Sequence, residues 1–230
     1  MGGANMENIE PFISMFKSMT PEEIKAHDKE VAEQIAAQEK READERYKKS
    51  GVPERYWDIS LDSYKVTNDM QRAAIIGARN YTTAIQSGEF KSFVMIGNAG
   101  TGKTHIACGI LREYGWGLYR TAPDIVEELR RAKSFTANET EAEIIKRYGH
   151  TALLIIDEIG RGIAATDEKY MLYQVLNARY NTRKPTVLIS NHTKADFLKY
   201  IGVAATDRLV ESAEMLEMNG ESYRRELRAK

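Results

Sequence analysis

The sequence predicts an α/β fold, a parallel sheet with helices on both faces, preceded by a small helical module. Three observations carry the prediction. From about residue 60 onward, apolar runs of strand length alternate with longer stretches of helical periodicity, and strands joined through helices pair in parallel. One run, Phe93-Val94-Met95-Ile96, leads directly into Gly97-Asn98-Ala99-Gly100-Thr101-Gly102-Lys103-Thr104, which fits G-x-x-x-x-G-K-[ST], and a helix-favouring run from Ile106 follows. A further run, Leu153-Leu154-Ile155-Ile156, ends in Asp157-Glu158 one helix-strand-helix passage later.

Taken in order, the first elements are helical. Ile9, Phe12, Ile13, Phe16 and Met19 recur at helical spacing and make a short apolar face. Thr20 then offers an N-cap, with Pro21 at the first helical position and Glu23 placed to close a capping box, so a second helix runs to about Lys49. Its apolar seam is only Ile24, Val31 and Ile35 among many charges, which suits equally a solvated helix and an arm that binds a partner. Composition changes at Ser50-Gly51-Val52-Pro53, dividing a helical N-terminal module (1–50) from a nucleotide-binding domain (51–230). The spacing in that domain predicts a helix at 68–86, a strand at 92–96, the P-loop helix at 103–113 and a strand at 116–120. Helices at 122–133 and 139–148, a strand at 152–156, a helix at 167–182 and a strand at 186–190 follow. Short helices and a final strand near 214–218 complete it.

Charge and composition narrow the function classes. With 33 basic and 34 acidic residues in 230, the net charge is -1, so any nucleic-acid contact is local rather than driven by a global basic field. The single cysteine, Cys108, forms no intrachain disulfide, suits a reducing compartment, and reads as a small buried thiol. No stretch approaches the roughly 20 apolar residues of a membrane span, and the N-terminus has no signal-peptide pattern. These features predict a cytoplasmic protein without membrane contact.

The motifs predict a nucleoside triphosphate site. Residues Gly97, Asn98, Ala99, Gly100, Thr101 and Gly102 can curl so that backbone N–H groups face the phosphates, Lys103 reaches the β/γ-oxygens, and the Thr104 hydroxyl ligates Mg2+. The dipole of the following helix favours the same anion, and His105, next in the chain, borders the loop. Asp157 is the second expected Mg2+ ligand, and Glu158 is placed to polarise an attacking water. The strand Thr186 to Ser190 ends at Asn191, which fits either a contact to the attacking water or γ-phosphate, or an ordinary cap or turn. Arg208, Arg224 and Arg225 suit either the phosphates or surface ion pairs. Tyr56 and Trp57 suit either the edge of a base pocket or packing of the linker. No Cys/His cluster has zinc spacing.

Together these residues resemble the AAA+ ATPases of the bacterial helicase-loader family, the DnaC-like proteins, with the transposition helper IstB as a relative. The resemblance spans about 51–227. Beyond the P-loop and Asp157-Glu158 it rests on Gly51-Val52-Pro53-Glu54-Arg55-Tyr56, Gly102 to Ala107, Leu188-Ile189-Ser190-Asn191, Asp207-Arg208-Leu209 and Ser222-Tyr223-Arg224. It implies that Asn191 is sensor 1, that Arg208 is a finger reaching a neighbouring subunit's ATP, and that Arg224 is sensor 2. A helical element at 123–150 is implied to serve single-stranded DNA contact and assembly; it holds Arg130, Arg131, Lys133, Lys146 and Arg147 near Phe135, balanced by Glu127, Glu128, Glu139, Glu141 and Glu143. Where the family's box often has a second arginine, this chain has Val203-Ala204-Ala205.

The activity the resemblance implies is ATP hydrolysis with Mg2+, coupled to self-assembly and to placing a hexameric DnaB-type replicative helicase on single-stranded DNA, the first 50 residues gripping the helicase. An IstB-like transposition helper on double-stranded DNA is the alternative. A small nucleotide kinase is a more distant one, opposed by Asn191, by the paired carboxylates and by the lack of an obvious second-substrate lid.

Overall fold

The computed structural model describes residues 19–134, 136–161 and 166–221. The apolar face from Ile9 to Phe16, together with Phe135, Arg224 and Arg225, lies outside them. The chain divides into two units, Met1–Glu45 and Arg46–Lys230. In the first, helix α1 (Pro21–Lys49) begins as the sequence predicts: the Glu23 N–H donates to Thr20 Oγ1 (3.3 Å) and the Thr20 N–H donates to Glu23 Oε2 (2.7 Å), closing the capping box. Val31 and Ile35, two of the three seam residues, are exposed.

The last residues of α1 belong to the second unit and are anchored in it. Tyr47 and Ser50 are buried. The Tyr47 hydroxyl donates to the carbonyls of Tyr56 (3.0 Å) and Cys108 (3.3 Å), and the Arg112 guanidinium lies 4.4 Å from the centre of its ring.

The rest of that unit is a five-stranded sheet of β1 (Ser92–Ile96), β2 (Leu118–Thr121), β3 (Leu154–Ile159), β4 (Thr186–Ser190) and β5 (Ala213–Glu217). The spatial order is β2-β3-β4-β1-β5, and every neighbouring pair is parallel. Helices α2 (Asp69–Gln86), α3 (Lys103–Tyr114), α4 (Ala122–Arg131), α5 (Glu141–His150), α6 (Thr166–Asn181), α7 (Lys194–Ile201) and α8 (Val203–Ser212) make the connections. Side-chain alternation sorts the strands' apolar residues onto two faces. Phe93, Met95, Ile155, Val187 and Ile189 pack with α2 and α3; Val94, Ile96, Leu154, Ile156 and Leu188 pack with α4 to α8. The doubly covered sheet is the predicted fold.

Local chemistry sets the helix ends. Asn68 caps α2 through the Gln71 N–H (2.9 Å), and Thr121 with Asp124 and Thr140 with Glu143 form capping boxes for α4 and α5. Observed ends lie within about two residues of those read from the sequence, the scatter normal for frayed termini. The larger departure is in β3, which continues past Ile156. A register shift lies between Ile156 and Ile159, and Glu158 within it takes φ 58.

Arg179, in the last turn of α6, is 1% exposed. It donates to Thr186 Oγ1 (2.7 Å) and to the carbonyls of Thr151 (3.0 Å), Tyr148 and Pro185. Burial pulls its guanidinium below the ordinary arginine range.

No described helix is long and apolar enough to cross a membrane. Among the described residues no group of His, Cys, Asp or Glu forms a metal cluster.

Candidate nucleotide-binding site

Because β1 lies between β4 and β5, and β4 between β1 and β3, the carboxyl ends of these strands bring the P-loop, Asn191 and Asp157-Glu158 to one edge of the sheet. The loop from Gly97 to Gly102 is held from two sides. The Gly97 N–H donates to the His192 carbonyl (3.1 Å) and the Asn98 N–H to the Met218 carbonyl (3.0 Å), while Thr101 Oγ1 donates to the Asn98 carbonyl (3.0 Å). Two glycines are required by this geometry. Gly97 has φ 111, and a Cβ there would sit 2.6 Å from Met218 O; Gly102 has φ 94, and a Cβ there would sit 2.4 Å from the Tyr64 ring.

Lys103 is 4% exposed, and its ammonium donates to the carbonyls of Gly97 (2.8 Å) and Asn98 (2.7 Å), which holds its charge inside the loop. Thr104 Oγ1 donates to Asp157 Oδ2 at 2.7 Å. The same oxygen accepts from the Tyr119 hydroxyl at 2.8 Å, and Asp157 Oδ1 accepts from the Glu158 N–H at 2.6 Å. Burial, with the Asp157 charge beside it, pushes the Tyr119 phenol up, so it stays a neutral donor. A hydroxyl and a buried carboxylate side by side, next to a loop that already encloses an ammonium, fit a magnesium nucleotide: hard oxygen donors for the cation and a fixed positive charge for the phosphates.

Glu158 points elsewhere than Asp157. The left-handed backbone in the β3 bulge re-aims it, and its carboxylate pairs with Arg161. Asn191 is exposed directly after β4, where Ser190 Oγ donates to the Ile159 carbonyl (2.7 Å) and so ties the ends of β3 and β4 together.

The His105 ring turns toward the segment before α2. Its Nε2 lies 3.1 Å from both Ser60 O and Ser63 Oγ, Tyr64 meets it edge-on at 5.3 Å, and burial pulls the imidazole below its ordinary range. Tyr64 in turn donates to the Thr101 carbonyl at 2.8 Å. Cys108 is a buried free thiol, pushed up by burial. Tyr56 and Trp57 pack against the core, Trp57 Nε1 donating to the Val52 carbonyl at 3.0 Å.

Among the described residues no carboxylate pairs with Arg208, on α8. Its guanidinium lies 5.2 Å from the Tyr173 ring and 5.6 Å from the Tyr180 ring, and Nη1 donates to the Ala204 carbonyl (2.7 Å). Of the basic residues at 123–150, Arg131 pairs with Glu127 (2.8 Å), and Arg147 pairs with Glu128 and with Glu139 (3.2 Å).

Sequence reasoning had missed Tyr119, Tyr64 and Arg161. Tyr119 and Tyr64 reach the site through long-range pairing, for which no local motif exists. Arg161 stands three residues after Glu158, a spacing that carries no special signal in a loop.

The model of the IstB-like ATP binding protein family matches residues 22–230. The chain belongs to this family. Among its relatives, a protein named replicative helicase loader DnaC from Buchnera aphidicola subsp. Schizaphis graminum (strain Sg) is 29% identical over 185 residues, covering 78% of this chain and 75% of that protein. The DnaC of Escherichia coli (strain K12) is 27% identical over 183 residues, covering 77% and 74%. A crystal structure of the DnaC helicase loader superposes with a TM-score of 0.66 at 22% identity, covering 73% of this chain and all of that one. The chain therefore has the AAA+ fold, preceded in sequence by helix α1.

Proposed function

We propose that this chain is an ATP-dependent loader that places a hexameric DnaB-type replicative helicase on single-stranded DNA, with hydrolysis coupled to assembly. The observation that carries the reading is the similarity to replicative helicase loaders over about three quarters of both chains. The site supplies the chemistry. Lys103 leaves the Gly97 and Asn98 carbonyls for the β/γ-oxygens, and loop N–H groups from Ala99 to Thr104 face the phosphates, those of Gly97 and Asn98 being taken by the His192 and Met218 carbonyls. Thr104 and Asp157 would hold Mg2+, which would supply charge neutralisation at the phosphates. Glu158, once parted from Arg161, orients and deprotonates the attacking water, with Asn191 placed as its hydrogen-bonding companion. Arg208 acts on a neighbouring copy's nucleotide and Arg224 on that of its own subunit.

In this reading residues 1–50 are the helicase-binding module and 51–230 the motor. A short apolar face of Ile9, Phe12, Ile13, Phe16 and Met19 is too small for a core of its own, so burial against a partner gives it a physical purpose. Calorimetry of the full chain with the host's replicative helicase tests this. Phe12→Ser with Phe16→Ser weakens helicase binding by about 2 kcal/mol or more and leaves nucleotide affinity unchanged. Absence of helicase binding by the intact chain, or equal affinity in the double variant, defeats the reading or its N-terminal part respectively.

A further inference from the structure

We propose that Tyr119 is a positioning residue for the divalent-cation site, its hydroxyl fixing the Asp157 carboxylate beside Thr104. The inference rests on the proposed reading of Thr104 and Asp157 as cation ligands, and it adds a residue from a different strand. Three donors converge on Asp157: the Glu158 N–H on Oδ1, and the Thr104 and Tyr119 hydroxyls on Oδ2. The first two come from the motifs themselves, and only Tyr119 is supplied from outside them.

Its own contacts fix its position. Tyr119 stands opposite Ile155 in the β2–β3 ladder, is 5% exposed, and donates its own N–H to the Ser50 carbonyl at 2.9 Å. Ring and backbone are thus both held before the hydroxyl meets the carboxylate. When the Thr104 oxygen turns its lone pair to a cation, Tyr119 keeps Asp157 from swinging about its side-chain torsion. Removing such a supporting hydrogen bond typically weakens metal affinity about 10- to 100-fold.

The test uses the full chain and a non-hydrolysable ATP analogue, titrated calorimetrically in EDTA and across a Mg2+ series. In the wild type, Mg2+ strengthens analogue binding. In Tyr119→Phe, the Mg2+ midpoint rises about tenfold or more while affinity in EDTA and the melting temperature stay close to wild type. Tyr148→Phe, which removes a hydroxyl from Glu128 instead, leaves the Mg2+ midpoint unchanged. An unaltered midpoint in Tyr119→Phe overturns the inference alone, as does an equal loss with and without Mg2+, which marks a merely structural role. A wild type indifferent to Mg2+ overturns the cation site and the inference together.

Discussion

At the scale of single residues, the duties proposed for Lys103 and Glu158 are separable. Lys103→Ala removes the only charge that the loop encloses by direct ammonium-to-carbonyl bonds, so nucleotide affinity falls, by about 100-fold if a charge-assisted contact worth about 3 kcal/mol is lost. Glu158→Gln keeps the loop and the proposed cation ligands, Thr104 and Asp157, intact. It binds nucleotide as the wild type does and releases phosphate at least about 100-fold more slowly, in line with the weight of a general base. Equilibrium binding and phosphate release, measured on both variants, check the pair; normal hydrolysis by Glu158→Gln removes it from catalysis. The P-loop and both carboxylates were legible in sequence because each motif is contiguous. The orientation of Glu158 was not, since a Glu at φ 58 in a bulge carries no residue-type signature of the kind glycine leaves. Tyr119 was illegible for another reason: its partner is 38 positions away, and only the β2–β3 register brings them together.

At the scale of elements, strand alternation and caps were readable, and the two core clusters follow directly from them. Arg179 escaped because a basic residue in the last turn of a helix ordinarily favours the dipole and sits in water. It is instead enclosed, joining the end of α5 through Tyr148 and Thr151 to the start of β4 through Pro185 and Thr186. Arg179→Met would leave several acceptors buried without their donor. The expected loss is about 3 kcal/mol, seen as a melting temperature lower by roughly 6–12 °C in a unit of this size, with nucleotide affinity at low temperature unchanged. Differential scanning calorimetry measures it, and an unshifted melt shows that water replaces the guanidinium. The 123–150 element was read in outline, but its charge was only partly understood. Arg131 and Arg147, counted there for DNA contact, are engaged with glutamates of the same element, which lowers the charge available to a phosphate backbone.

At the scale of the whole molecule, the proposed trans role of Arg208 makes an assembly prediction. The guanidinium is set against the Tyr173 and Tyr180 rings of α6 and bonded to the Ala204 carbonyl, and among the described residues no carboxylate pairs with it. Arg208→Ala leaves nucleotide affinity of the isolated chain near wild type and lowers assembly-stimulated hydrolysis roughly 10³-fold, the scale of arginine fingers. Mixing Arg208→Ala with Lys103→Ala chains partly restores phosphate release, because some interfaces then join an intact arginine to an intact P-loop. No recovery at any ratio, with assembly verified by light scattering, rules out a trans contact. The Arg224 role carried by the family resemblance lies beyond the described residues and is tested by the same assay on Arg224→Ala.

The anchorage of α1 has an optical consequence. The chain has two tryptophans, and both stand at that anchorage: Trp57 donates to Val52 with the Lys48 ammonium 5.2 Å from its ring centre, and Trp116 carries the Arg46 guanidinium 3.9 Å from its own. Arg46 Nε is fixed in turn on the Gly115 carbonyl at 3.1 Å. The P-loop contains none, so intrinsic indole fluorescence is a built-in gauge of the place where the long helix enters the sheet domain. Trp116 is already 59% exposed, so Arg46→Ala acts on its emission by removing the cation from the ring, and the resulting change in wavelength and yield is the signature of a loosened anchorage. The same change on adding a helicase would show the pull reaching the root of the helix, and steady emission would show that the grip stops short of it.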